Sequence, residues 1–374
     1  MDDRSYAMLA KPVSSACNLR CEYCYYLEKN SFLNVSCGKM PREILEAFII
    51  QNLEMHGADA VVEFAWHGGE PLLAGIDFFR EATELQKKYG NGRKIRNTLQ
   101  TNATLITDEI CDFFKENDFL IGVSIDGPEH LHNKFLKTSD GKGSFEKTME
   151  GIRLLKKHDV PFNTLTALNR ENADHPVEVY SFLRELTDYM QFLPVVESEA
   201  TEYELSEGQH FAAPPGIHSM KIRHPVRSFS ILPEQYGYFL VAVLKEWIRL
   251  DRGTKHVQII DAAMSLMETG HSPLCVHDPL CGHSGSVEAN GDVYSCDRYA
   301  FPEYRLGNIL EQPLADLMEK NRKFGMHKTY GLDEDCFECP YLKLCFGGCP
   351  KDRLFGKNYL CEGYKIFFEH LNRG

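Results

Sequence analysis

The chain of 374 residues is long enough for one large core and an appended domain. With 43% hydrophobic and 25% charged residues it has a globular composition, and no run approaches the roughly 18 consecutive apolar residues of a membrane helix. A net charge of −13 opposes binding to nucleic-acid phosphates and suits a basic partner such as an Arg-containing peptide. The opening Met1-Asp2-Asp3-Arg4 lacks the pattern of a secretory signal, so a cytoplasmic location is expected, with neither membrane nor nucleic acid as partner.

From residue 8 to 196, short apolar segments alternate with helical patterns. Strands are expected at Met8–Val13, Val61–Trp66, Lys94–Gln100, Phe119–Ile125, Phe162–Ala167 and Met190–Val196. Between them, a helix opens at Pro41 with Ile44, Leu45, Phe48, Ile49 and Leu53 on one face. Thr107 caps a helix whose inner face is Ile110, Phe113 and Phe114, and Ser144 caps one with Ile152 and Leu155 inward. Asp174 precedes a helix carrying Val177, Tyr180 and Leu183. Six alternating β/α units imply an α/β fold with a parallel sheet, open or curled toward a barrel, whose chemistry sits at the carboxyl ends of the strands. Residues 197–230 read as a loop-rich insertion. A helix follows at about Pro233–Leu250, with Tyr236, Phe239, Leu240, Val243 and Trp247 at helical spacing. From Cys275 onward the chain is rich in Cys, Gly and Pro with short elements, which suits a domain held by metal.

Thirteen cysteines in a long chain without an export signal read as metal ligands rather than disulfides. Cys17, Cys21 and Cys24 form a CxxxCxxC group after the first strand. Three thiolates leave one corner of a [4Fe–4S] cube open to a small molecule; a zinc loop borrowing a fourth ligand fits the same spacing. A second group comprises Cys275, Cys281, Cys296, Cys336, Cys339, Cys345, Cys349 and Cys361, enough for two four-thiolate clusters or two zinc sites. Cys111 reads as a core residue on a helix face, and Cys37 has no assigned role.

Later strands end in Trp66-His67-Gly68-Gly69-Glu70-Pro71, Leu99-Gln100-Thr101-Asn102, Ser124-Ile125-Asp126-Gly127-Pro128 and Gln191–Glu197. Each taken alone reads as a turn or cap; on consecutive strand ends they suggest one pocket. Together with Cys17-x-x-x-Cys21-x-Tyr23-Cys24, followed by Tyr25 and Tyr26, they resemble the radical S-adenosylmethionine (SAM) superfamily. Seven of the eight later cysteines resemble the SPASM auxiliary-cluster domain, and Cys275 resembles the extra ligand that closes its first cluster. The stretches Gly291–Asp297, Arg305–Ile309, Gly347–Arg353 and Asn358–Cys361 resemble the anaerobic sulfatase-maturating enzymes.

The resemblance implies a partial (β/α)6 TIM-like barrel over residues 1–232, a connecting helical segment over 233–274 and a SPASM domain over 275–374. It implies SAM and three [4Fe–4S] clusters as cofactors. Cys17, Cys21 and Cys24 would hold the first cluster; Cys275, Cys281, Cys296 and Cys349 the first auxiliary cluster; Cys336, Cys339, Cys345 and Cys361 the second. Tyr23, Gly68, Gly69, Glu70, Asn102, Ser124, Asp126 and Val196 would contact SAM, and Tyr26 and His67 the substrate. The implied reaction oxidises Cys or Ser in a Cys/Ser-x-Pro-x-Arg segment of an unfolded sulfatase to Cα-formylglycine, through hydrogen abstraction by a 5′-deoxyadenosyl radical. Asp297 would be the base, and an electron donor such as flavodoxin or ferredoxin a partner. The family commonly reads His-x-x-x-Arg after Asp-Gly-Pro, but His132 here leads to Leu136, so that Arg's role is not carried over. The competing readings are a SPASM enzyme acting on another peptide, for example by thioether crosslinking, and a zinc-stabilised interaction protein or electron carrier.

Overall fold

A computed structural model describes residues 7–27, 29, 33, 38–199, 214, 226–354 and 356–372. In chain order the strands are β1 (Ala7–Ala10), β2 (Val62–Trp66), β3 (Ile95–Thr101), β4 (Phe119–Ser124), β5 (Phe162–Leu168), β6 (Tyr189–Pro194), β7 (His256–Val257), β8 (Ser284–Val287), β9 (Asp292–Tyr294) and β10 (Arg305–Asn308). The residues cluster into two units that do not follow chain order. One comprises Met1–Ser124, Leu136–Phe162 and Gly282–Gly325; the other comprises Ile125–Phe135, Asn163–Cys281 and Met326–Gly374.

In the first unit, β1 to β4 pair in parallel, with Leu9 opposite Ala65, Val62 opposite Ile95 and Asn97 opposite Phe119. The other edge of β1 takes β8, also parallel, with Ala7 opposite Ser284. From there β9 and β10 continue antiparallel. None of β8, β9 and β10 was expected from the sequence. The helix Arg42–Glu54 buries Ile44, Leu45, Phe48, Ile49 and Leu53, as its spacing requires. Phe48, Phe64, Trp66, Phe78 and Phe79 meet edge-on or stacked in the layer between sheet and helices. Each such buried ring contributes about 1.5–3 kcal/mol.

The structure corrects four local expectations. Strand β1 stops at Ala10, because Pro12 has no N–H with which to extend the ladder. Thr107 does cap the helix Asp108–Glu116 through Ile110 N–H, but Cys111 rather than Ile110 joins Phe113 and Phe114 inside. Ser144 makes no side-chain cap; its hydroxyl donates to Leu136 O at 2.9 Å. In the second unit, Pro176 starts a helix to Arg184 whose phase buries Val179, Tyr180 and Leu183 and leaves Val177 48% exposed.

The second unit holds β5, β6 and β7 in parallel, with Thr164 opposite Met190 and Tyr189 opposite His256. The helix Pro233–Leu250 has the boundaries its sequence suggests and buries Tyr236, Phe239, Leu240, Val243 and Trp247. It packs on the helix Cys361–Leu371 through two glycines: a Cβ on Gly237 would lie 2.7 Å from Gly363 O, and one on Gly363 2.3 Å from Pro233 O. The expectation of short elements beyond Cys275 fails at Leu314–Tyr330, a helix of 17 residues. Within 197–230, residues 200–213 and 215–225 lie outside the described residues, as does Cys37.

Candidate active site

The CxxxCxxC loop is fixed by its own backbone and by the end of β3. Cys24 N–H donates to Cys21 O at 3.0 Å, and Leu19 N–H to Cys17 Sγ at 3.3 Å. Asn102, just past β3, donates to Asn18 Oδ1 at 2.9 Å and to Cys17 Sγ at 3.9 Å, while its own Oδ1 accepts from Thr104. Burial pushes the Cys17 thiol up to about 11, so its thiolate calls for a cation to bind.

The Gly68-Gly69-Glu70 turn after β2 backs this loop. Gly69 N–H donates to Ser14 O at 2.7 Å and Glu70 N–H to Ala16 O at 2.8 Å. A Cβ on Gly69 would lie 2.1 Å from Ala16 O, so only glycine permits the approach. The Gly68 and Gly69 carbonyls are of the right type to accept from an ammonium. Glu70 is fully buried and receives Leu72 N–H, Thr101 Oγ and Asn102 N–H, which ties β2 to β3. Burial outweighs those bonds and raises its carboxyl to about 7.

Asp297 follows Cys296 and belongs to the same unit as the loop. Tyr25 hydroxyl donates to its Oδ2, and Lys29 Nζ to its backbone O at 3.0 Å. Burial alone would raise the Asp297 carboxyl; Lys11, His67, the Tyr25 bond and Lys29 outweigh it and hold the group below the usual carboxylate range. Tyr26 is 3% exposed and its hydroxyl donates to Glu288 Oε1. The ammonium of buried Lys11 stands 3.5 Å from the Tyr26 ring centroid, and that of Lys29 at 4.3 Å. His67 is half-buried, accepts from Gly68 N–H at 2.7 Å and, mainly through burial, is lowered to about 4, so its ring is neutral at pH 7. The structure therefore brings together the cysteine loop, Tyr26, His67 and Asp297. It adds Lys11, Lys29 and Glu288, which have no sequence signal because each meets the site only through the fold, and it gives Tyr25 of the cysteine motif a partner in Asp297.

Tyr23 is half-buried within the cysteine loop, and Ser124 is half-buried at the end of β4. Leu136 is 2% exposed, and its neighbour Lys137 pairs with Glu22 at 2.9 Å, so Lys137 is engaged on the cysteine loop. In the second unit, buried Asp126 accepts from Ala167 N–H at 2.9 Å, and His132 Nδ1 accepts from Asp126 N–H at 3.3 Å. Val196 is 2% exposed beside Glu197, whose carboxylate meets Lys351 Nζ at 2.6 Å in a buried pair.

Seven of the later cysteines lie in the second unit; Cys296 lies in the first. A cavity of about 310 Å³ is lined by Cys336, Cys339, Cys345 and Cys361, with Lys357 and Tyr364. Burial raises Cys281 to about 12 and Cys345 to about 11. None of the twelve described cysteines is joined in a disulfide. Among the described residues no three His, Cys, Asp or Glu converge as the ligands of one ion would; a cube takes its thiolates at separate corners. Four thiols on one cavity, and thiols that burial makes costly to ionise without a cation, fit iron–sulfur ligation.

Comparison with known proteins agrees with this chemistry. The Radical SAM superfamily model matches residues 12–183, and that of SPASM, an iron–sulfur cluster-binding domain, matches residues 281–340. The protein is thus a radical SAM enzyme: a partial TIM-like α/β barrel with a C-terminal SPASM domain, using SAM, a [4Fe–4S] cluster and auxiliary clusters. A serine-type anaerobic sulfatase-maturating enzyme of Bacteroides thetaiotaomicron is 43% identical over 97% of this chain and 89% of its own length. A cysteine-type enzyme of Clostridium perfringens is 34% identical over 97% and 95%. The structure of native anSMEcpe with bound AdoMet and Cp18Cys peptide aligns at a TM-score of 0.85, with 32% identity over 98% of this chain and 96% of that one. The chain belongs to the anaerobic sulfatase-maturating enzymes. Among its described residues no helix is long and apolar enough to cross a membrane.

Proposed function

We propose that this chain oxidises the side chain of Cys or Ser in a Cys/Ser-x-Pro-x-Arg segment of an unfolded sulfatase to Cα-formylglycine. The observation that carries the reading is Asp297, a half-buried carboxylate held by Tyr25 and Lys29 in the unit that carries Cys17, Cys21 and Cys24. Bound SAM, reduced at the first cluster, supplies the group that takes a hydrogen atom from the substrate Cβ. Asp297 takes the thiol or hydroxyl proton, and one electron leaves toward the auxiliary sites. Loss of a hydrogen atom, a proton and an electron converts the serine hydroxymethyl group into the aldehyde. From the cysteine thiomethyl group the same losses give a thioaldehyde, which water hydrolyses with release of hydrogen sulfide. The depressed Asp297 carboxyl is ionised at pH 7, the form that a base requires.

In this reading Cys17, Cys21 and Cys24 hold the first cluster; Cys275, Cys281, Cys296 and Cys349 the first auxiliary one; and Cys336, Cys339, Cys345 and Cys361 the second. The Gly68 and Gly69 carbonyls accept from the SAM ammonium. Tyr23, Glu70, Asn102, Ser124, Asp126 and Val196 shape the rest of that pocket, in which Glu70 and Asn102 act by bracing strand ends. Neutral His67 and the Tyr26 ring face the substrate. The barrel domain spans 1–232, the connecting segment 233–274 and the SPASM domain 275–374. A flavodoxin or ferredoxin supplies electrons in the cytoplasm.

The test is anaerobic incubation of reconstituted protein with SAM, dithionite and a Cys-x-Pro-x-Arg peptide, read by mass spectrometry. Formylglycine that disappears in Asp297→Asn, while 5′-deoxyadenosine still forms, is expected. An unchanged peptide alongside abundant 5′-deoxyadenosine would sink the substrate assignment.

A further inference from the structure

Two buried cations in the second unit have no part in the chemistry above. Lys328 is 1% exposed and points its ammonium at one turn, donating to Cys275 O at 2.6 Å, Val276 O at 3.2 Å and Asp278 O at 2.5 Å. An ammonium has three donors and no acceptor, so three carbonyls match its full capacity and favour the charged form. Arg353, 7% exposed, closes the other side. Its Nη1 donates to Lys328 O at 2.8 Å and to Gly331 O at 2.9 Å, and its Nε to Gly347 O at 3.2 Å. One grip holds the turn that bears Cys275; the other holds the turn between Cys345 and Cys349. Burial lowers the Lys328 ammonium from its ordinary value, and the thiols of Cys281, Cys275 and Cys349 act against that burial to favour its charge. These are three of the four ligands proposed for the first auxiliary cluster.

The two lysines that line the other cysteine set's surroundings differ in kind. Lys357 pairs with Asp335 at 2.8 Å and Lys365 with Glu362 at 2.9 Å, and all four side chains reach solvent. Charge paired and hydrated in this way acts weakly at a distance. The charge of Lys328 meets only carbonyl dipoles in the bonds described and lies where solvent screens little.

We propose that Lys328 is a positioning residue of the first auxiliary site: it fixes the Cys275 turn, and its buried charge makes that site the preferred acceptor of the electron leaving the substrate. This rests on the function proposed above. The electron balance is simple. The substrate radical gives up one electron, the site gains one and becomes more negative by one charge without taking a proton, and a fixed cation favours that state.

The experiment is an EPR-monitored redox titration of the anaerobically reconstituted full chain carrying Cys17→Ala, Cys21→Ala and Cys24→Ala. That background leaves only the two C-terminal clusters. Lys328→Gln and Lys328→Arg are compared in it, with iron counted for each. Two transitions are expected. The higher moves to lower potential in Lys328→Gln, stays near its original value in Lys328→Arg, and the lower transition moves in neither. Iron lost from the Gln variant but kept by the Arg variant also supports the proposal. Transitions that do not move, transitions that move together, or iron lost alike from both variants would overturn it. Peptide oxidation by the unaltered chain is scored separately, so failure of the substrate reading leaves the potentials informative.

Discussion

A methyl group on Gly69 would press to 2.1 Å on the carbonyl oxygen of Ala16, one residue before Cys17, the first cysteine proposed to hold a cluster. Gly69→Ala must therefore displace the loop that presents Cys17. We expect that variant to reconstitute with one cluster fewer than the unaltered chain while the C-terminal cysteines stay loaded, as iron and sulfide analysis would show. His132 offers a test by pH. It is buried and lowered to about 3, with desolvation as the cause. A base whose folded pKa lies below its unfolded value near 6.5 binds its proton more readily unfolded, so stability is full above about 6.5 and is lost as the pH falls. Between pH 7 and 5 the loss from this one group is about 2 kcal/mol. Urea titrations should show His132→Asn losing less stability than the unaltered chain over that interval; equal losses would refute the account. At this scale the grouping of Cys17, Cys21 and Cys24 in one short loop was legible because cluster chemistry calls for close spacing. Lys29, Glu288 and the Tyr25 contact to Asp297 were not, since those hydrogen-bond partners lie hundreds of positions apart in sequence, and Lys11 was not, since only the fold sets its ammonium over the Tyr26 ring.

The two-glycine crossing of Pro233–Leu250 with Cys361–Leu371 brings these two helix backbones close together. Gly237→Val would place a branched side chain where 2.7 Å separates a bare Cβ from Gly363 O. Overpacking of this kind costs about 1–3 kcal/mol, and a lowered midpoint in thermal unfolding of the reconstituted enzyme would register it. The Pro233 helix was legible to its boundaries because a proline start and an unbroken 3.6-residue pattern coincide. Strands β8, β9 and β10 were not, because three or four residues give too little alternation to read. Their identity comes from pairing with β1 and with one another. The helix Leu314–Tyr330 was obscured by the cysteines on both sides, which drew the whole region toward short metal-bound turns.

For the whole molecule, the charge of −13 predicts how substrate arrives. An Arg-bearing peptide approaches an anionic protein faster at low salt, and a Debye length of about 8 Å at physiological ionic strength already trims that advantage. We expect kcat/KM for a Cys-x-Pro-x-Arg peptide to fall as NaCl is raised and to fall less for a peptide with Gln in place of Arg. Equal salt dependence would remove charge attraction from the account. The α/β class was legible at this scale from six repeating segments. The membership of Gly282–Gly325 in the first unit was not, for nothing in the cysteine-rich region announces a partner near residue 7. Because Ala7 to Ala10 pair with Ser284 to Val287, one edge of β1 waits on the ribosome until most of the polypeptide has been made. Such distant pairing slows folding, and an open strand edge invites association with other nascent chains. Release before residue 284 should thus yield a chaperone-dependent, aggregation-prone fragment, and on the proposed ligand assignment iron reaches Cys296 only after near-complete translation.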